Sequence, residues 1–431
     1  MKRVLFLVLA GLLAGLFVIT MWLDTDREWS RYQRQFMKTL RSEERRGVTG
    51  GIKQTIVADL NRVDRCTTCH LAIDKPALAL AEEPFTAHPG RLLEWHPPEK
   101  FGCTICHGGQ GLATEVKAAH GDVPHWDEPL LRGSLVQSSC RKCHGDLEEI
   151  AGHVPQLIRG EQLFKAKGCY ACHAIKTFGT EFGGTISQDL SEIGSKPYLL
   201  IDADFEMMAP PHDRIRWLTR KLHNPRLLNP GMRPEQLPPG EEEVFPSAMP
   251  NFGLTEEENL ALTTYLLSLT DEDLPVSYVT PPKPQLEATY GTQVDFGKAV
   301  FEKYGCAGCH GPGGLGGRKN WNAGLGEEIP PLVYVKAYYE HDVERLKDVI
   351  RHGRQPVPRA NVHRPNPGLY MPAWKDRLSE SELDALVAYL FSLADRLPTP
   401  SAVEGSAPPP KDVLGGPAAP TVADATSTAA D

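Results

Sequence analysis

Outside five copies of one short pattern, the sequence contains no cysteine; all ten cysteines fall in Cys-x-x-Cys-His segments. That leaves no thiol for a separate disulfide framework. Methionine is missing from the whole stretch between Met37 and Met207, so this part of the chain has no thioether donor of its own. An excess of positive charge is missing too: 46 Lys and Arg stand against 55 Asp and Glu, a formal net charge of −9. This balance argues against a nucleic-acid partner. There is also no second long apolar run beyond residues 4–23, so only one segment is long enough to cross a bilayer as a helix.

The five segments are Cys66-x-x-Cys69-His70, Cys103-x-x-Cys106-His107, Cys140-x-x-Cys143-His144, Cys169-x-x-Cys172-His173 and Cys306-x-x-Cys309-His310. Two thiols at this spacing reach the two vinyl groups of one haem, and the adjacent imidazole falls beneath the iron. Disulfides or zinc-binding cysteine pairs would not account for a histidine after every second cysteine. The spacing therefore predicts five covalently bound c-type haems. Their propionates add negative charge to an already acidic chain. At 431 residues with 41% hydrophobic content, the chain has room for about three domains.

Lys2 and Arg3 precede the apolar run, which ends at Met21-Trp22-Leu23-Asp24 without the small-x-small site of a cleaved signal peptide. Residues 1–23 are read as a retained transmembrane anchor, with a signal peptide as the rival. The positive-inside rule then places the rest of the chain on the periplasmic side of a bacterial inner membrane, the side on which c-type haem is attached. Residues 24–62 read as a charged amphipathic helix and linker. Trp29, Tyr32, Phe36 and Leu40 form one helical stripe, suited to the membrane surface, a partner's helix or the chain's own haems.

Residues 63–154 hold three motifs whose first cysteines are 37 residues apart. The sequence between them is rich in Pro, Gly and His and has little helical periodicity, as expected of a domain packed around porphyrins. With no methionine within this stretch, histidines are the economical sixth ligands here. His88, His96 and His120, each followed by Pro or Gly, are the candidates; His125 and His153 are held in reserve, and the sequence leaves the pairing open. Gly108-Gly109-Gln110-Gly111 reads as a tight turn and lacks the helix, Lys and Ser/Thr of a phosphate loop.

The last two motifs sit in a tandem repeat. Gly160, Phe164 and Gly168 precede Cys169 at the same offsets as Gly297, Phe301 and Gly305 precede Cys306. Met249-Pro250 is followed by Thr255-x-x-Glu258 and a helix containing Tyr265; Met371-Pro372 is followed by Ser379-x-x-Glu382 and a helix containing Tyr389. Both helices thus open on a capping box. This order resembles the class I cytochrome c fold over residues 155–273 and 294–397. The resemblance implies that Met249 and Met371 are distal ligands and that the terminal helices of each unit cross. Met207, Met208 and Met232 compete with Met249 in the first unit. Residues 274–293 read as a Pro-rich linker and residues 398–431 as a disordered tail.

The expected fold class is mainly α: an anchor, a trihaem domain with little regular structure, and two class I cytochrome c domains. The whole resembles the multihaem cytochrome subunit of bacterial quinol:acceptor oxidoreductases. That resemblance implies a cytochrome-b-like quinol-oxidising membrane partner and a soluble carrier or terminal reductase or oxidase as acceptor. Methionine ligation raises a haem potential relative to histidine, so electrons are expected to run outward from the membrane. The rival is a haem enzyme, a peroxidase or a multihaem reductase, with one open iron.

Overall fold

The structure, a computed structural model, describes residues 2–124, 126–177, 180–184, 187–201, 213–228, 247, 249–282, 290–316, 329–354 and 371–396. His125, Met207, Met208, Met232 and the tail 398–431 lie outside the described residues.

Helix α1 (Lys2–Thr25) has no window of its apolar run buried against the rest of the chain. Length and composition suit it to a bilayer, as anchor or signal segment. Helix α2 (Glu28–Thr39) is strongly amphipathic and turns its stripe inward. Phe36 is fully buried and Leu40 nearly so, against Leu71, Ala72 and Phe85. Burying these two side chains contributes about 2–3 kcal/mol each. Gln33, also on the buried face, donates to the carbonyls of Gly51 and Thr68. The stripe therefore covers the chain's own first haem motif.

From residue 50 to 154 regular structure is sparse. A short antiparallel ribbon pairs β1 (Thr55–Val57) with β2 (Arg62–Asp64), Ile56 opposite Val63. The remainder is single helical turns such as Leu92–Trp95, Pro98–Phe101, Thr104–His107 and Val116–Ala119. Glycine and proline interrupt the chain too often for longer helices.

Each unit of the repeat is built on one crossing of two helices. In the first, α3 (Pro155–Ala166) crosses α5 (Glu256–Leu267), with α4 (Arg214–His223) packed alongside. In the second, α6 (Gln293–Lys303) crosses α8 (Glu380–Ser392), with α7 (Val343–His352) beside them. Gly160 and Gly297 lie at the crossings. A Cβ at either would overlap the carbonyl oxygen of Ala261 or Ala385, and would stand 2.7 Å from the Cβ of Tyr265 or Tyr389. Close approach lets Phe164 meet Tyr265 at 5.3 Å and Phe301 meet Tyr389 at 5.4 Å between ring centroids. Thr255 and Ser379 each form the expected capping box with the glutamate three residues on.

The first unit shares its core with the region of the first three motifs: Leu147 and Val154 are buried among its residues, and Cys140 packs on the same cluster. The stretch after residue 273 also runs back over that region. Leu274 and Tyr278 pack near Ile105, Thr280 donates to the Cys143 carbonyl, and Gly145 donates to the Thr280 carbonyl. Glu272 is paired with both Arg62 and Lys142. The expected spacer is docked over residues 274–282.

Candidate haem centres

A Cys-x-x-Cys-His segment is short enough to close into one turn. The backbone N–H of His70, His107, His144 and His173 donates to the carbonyl of the first cysteine of its own motif, at 2.9–3.1 Å. Cys306–His310 forms a single helical turn. This local closure puts two thiols and one imidazole on one side of the backbone. None of the ten cysteines is in a disulfide.

The region of the first three motifs brings each motif histidine opposite one of the three candidates. Ring centroids are 6.4 Å apart for His70 and His120, 6.2 Å for His88 and His107, and 6.1 Å for His96 and His144. Two imidazole nitrogens at about 2 Å from one metal, with each ring centre about 1 Å farther back, place centroids roughly 6 Å apart. Each pair has the spacing for one iron. Nδ1 of His88 faces the Pro89 carbonyl at 3.1 Å and Nδ1 of His96 faces the Leu92 carbonyl at 3.3 Å. A proton held there leaves Nε2 with its lone pair free for a metal. Burial pushes the pKa of His70, His107, His144 and His120 down, favouring the neutral ring that ligation requires. His153 faces Trp95 at 5.4 Å.

Successive motifs touch. The Cys66 and Cys103 thiols interact, which pulls the first down and pushes the second up. Ser139 donates to the Cys106 carbonyl at 2.7 Å and Lys142 to the Ile105 carbonyl at 3.4 Å. Asp64, almost fully buried at the end of β2, accepts from the backbone N–H of Cys103 and Thr104 and from the Thr104 hydroxyl. It pins the second motif from a position just ahead of the first. Arg141, inside the third motif, is paired with Glu161 of α3 at 3.2 Å and lies over the Tyr265 ring. Asp64 and Arg141 were not evident as site residues from the sequence; for Arg141 the signal was a charged pair, Arg141-Lys142, in a motif otherwise destined for burial.

In the repeat, Nδ1 of His173 faces the Gln188 carbonyl at 2.8 Å, so that Nε2 is again the free nitrogen. His310 is buried, which pushes its pKa down to about 4. Among the described residues its Nδ1, the Trp217 indole nitrogen and the Tyr265 hydroxyl are buried without a hydrogen-bond partner. Orphaned buried donors are costly and suit a group bearing carboxylates. Met249 and Met371 are half-buried against the cores of their respective units. Burial pushes the Cys140, Cys172 and Cys306 thiols up to about 12. Paired thiols, a neutral imidazole and orphaned donors together fit a covalently bound haem.

Residues 157–270 match the cytochrome c family, and residues 292–390 match cytochrome c oxidase, cbb3-type, subunit III. Tandem cytochrome c domains fill much of the second half of this chain. Covalent c-type haem and electron transfer follow from those domains. The chain is also similar to cytochrome c oxidase subunit 2 of Alkalihalophilus pseudofirmus, 33% identical over 136 residues. That match covers 31% of this chain and 35% of the relative, so it spans about a third of the relative's length. No solved structure matches.

Proposed function

We propose that the chain is a membrane-anchored pentahaem cytochrome, relaying electrons from a cytochrome-b-like quinol-oxidising subunit to a soluble carrier or a terminal reductase or oxidase. The observation that carries this reading is the set of three facing imidazole pairs, each spaced for one iron. Each haem, when bound, supplies an iron that takes up and gives back one electron.

The chain's own residues set where and at what potential. His70 with His120, His107 with His88 and His144 with His96 would hold the three irons of the trihaem domain. His173 with Met249 and His310 with Met371 would hold those of the two class I domains, as the resemblance implies. Thioether ligation favours the ferrous state, which makes the tandem domains the high-potential end. Helix α2 carries the anchor directly onto the first motif, and Glu28 at its start accepts from the Val116 N–H beside His120. This supports electron input near the membrane and output through the second cytochrome domain. The periplasmic face of an inner membrane is the matching location.

Carbon monoxide added to the fully reduced protein tests the reading. With all five irons six-coordinate, none should bind it. Replacing His88, His96 or His120 by Ala should each open one site per chain. Stoichiometric binding by the unaltered protein would overturn the relay and favour an enzyme with an open haem iron.

A further inference from the structure

The haem motifs of the two cytochrome domains lie against each other. The helical turn Cys306–His310 packs on the turn Cys169–Ala171, backbone to backbone. A Cβ at Gly308 would overlap the Ala171 methyl and stand 2.7 Å from the Gly168 carbonyl oxygen. A Cβ at Gly305 would stand 2.8 Å from the Tyr170 ring and 3.0 Å from the Ala171 backbone. Contacts under 3.0 Å force a shift, so the two turns touch only because position 308 carries no side chain. The equivalent position in the first three motifs holds Thr68, Ile105 and Lys142. Ala171 and Gly308 are the smallest of the five residues at this position.

Every cysteine in these turns is a haem attachment point in the proposed function, on which this inference rests. Turns in contact thus bring the attached edges of two haems together. We propose that Gly308 and Ala171 are positioning residues that hold the thioether edges of the two cytochrome domains within direct electron-exchange distance. The exchange moves one electron, oxidising one ferrous iron and reducing one ferric iron, with no bond made or broken and no proton moved. An acceptor docking on either domain then draws on both haems.

The test is electron paramagnetic resonance of the fully oxidised holo-protein, with haem number checked by mass. The unaltered protein should show spin–spin broadening between the two methionine-ligated ferric haems, which sharpens when one of them is reduced. Gly308→Leu should lose that broadening while keeping five haems. Ala171→Gly, which removes the methyl facing position 308 and adds no atom to the contact, should retain it. Five haems with no coupling in the unaltered protein, or coupling unchanged in Gly308→Leu, overturns the inference alone. Fewer than five haems overturns the pentahaem reading instead. Should Gly308→Leu fail to mature, the unaltered protein and Ala171→Gly still decide.

Discussion

Glu272 holds three parts of the chain together, and its removal has a calculable cost. The carboxylate stands at the end of the first cytochrome domain and is paired with Arg62 of β2 and with Lys142, at 2.8 Å, inside the third motif. The three side chains are 24%, 19% and 14% exposed. An exposed pair contributes at most about 1 kcal/mol and breaking a fully buried one costs about 3–5 kcal/mol. Partial exposure and screening by water put Glu272→Gln between these, at about 2 kcal/mol, or roughly a 30-fold change in the folding equilibrium. The sign of the pH dependence follows from the same contacts. Burial alone would raise the Glu272 pKa, but Lys142 and then Arg62 outweigh it and hold the pKa below the usual carboxylate range. A depressed folded pKa gives stability that is present above the unfolded value of about 4.3 and is lost as pH falls through the folded value. Urea unfolding of the holo-protein, followed by haem absorbance, should therefore separate the two proteins at pH 7 and bring them together in acid. A gap that stays constant down to the acid limit would refute the charge argument and leave only lost packing.

At the helix crossing of the second cytochrome domain, Gly297→Ala gains about 1 kcal/mol in helix propensity but forces α6 away from Ala385 at an overpacking cost of about 1–3 kcal/mol. A net loss of stability is expected; a rise in the denaturation midpoint would show that the helices do not depend on this approach. Met371→His should lower the potential of one haem and leave the other four unmoved in a redox titration. No shift would remove Met371 from the ligand set.

What the sequence disclosed was local or repeated. The five motifs are legible because attachment chemistry needs a fixed spacing within one turn. The helix crossings are legible because Gly160 and Gly297, with Phe164 and Phe301, recur at the same offset from their motifs. The three histidine pairs were not legible as pairs: His88 faces His107 and His96 faces His144, while His120 reaches back to His70. Such choices are made by tertiary packing and leave no periodic trace. Residues 274–282 misled for a different reason. Proline-rich composition describes a stiff segment equally well whether it is free or laid down against Ile105 and Cys143. Glu272, Arg62 and Asp64 are scattered polar residues whose importance comes only from the partners they meet.

The interleaving of those rings bears on how the protein is made. His70 finds its facing ring 50 positions later in the chain, beyond the second motif, whereas the rings opposite His107 and His144 have already emerged when those motifs appear. In the proposed pentahaem reading, the centre built on Cys66 and Cys69 is complete only once Val116–His120 has been added to the chain. No cut between residues 70 and 120 leaves His70 and His120 on one fragment.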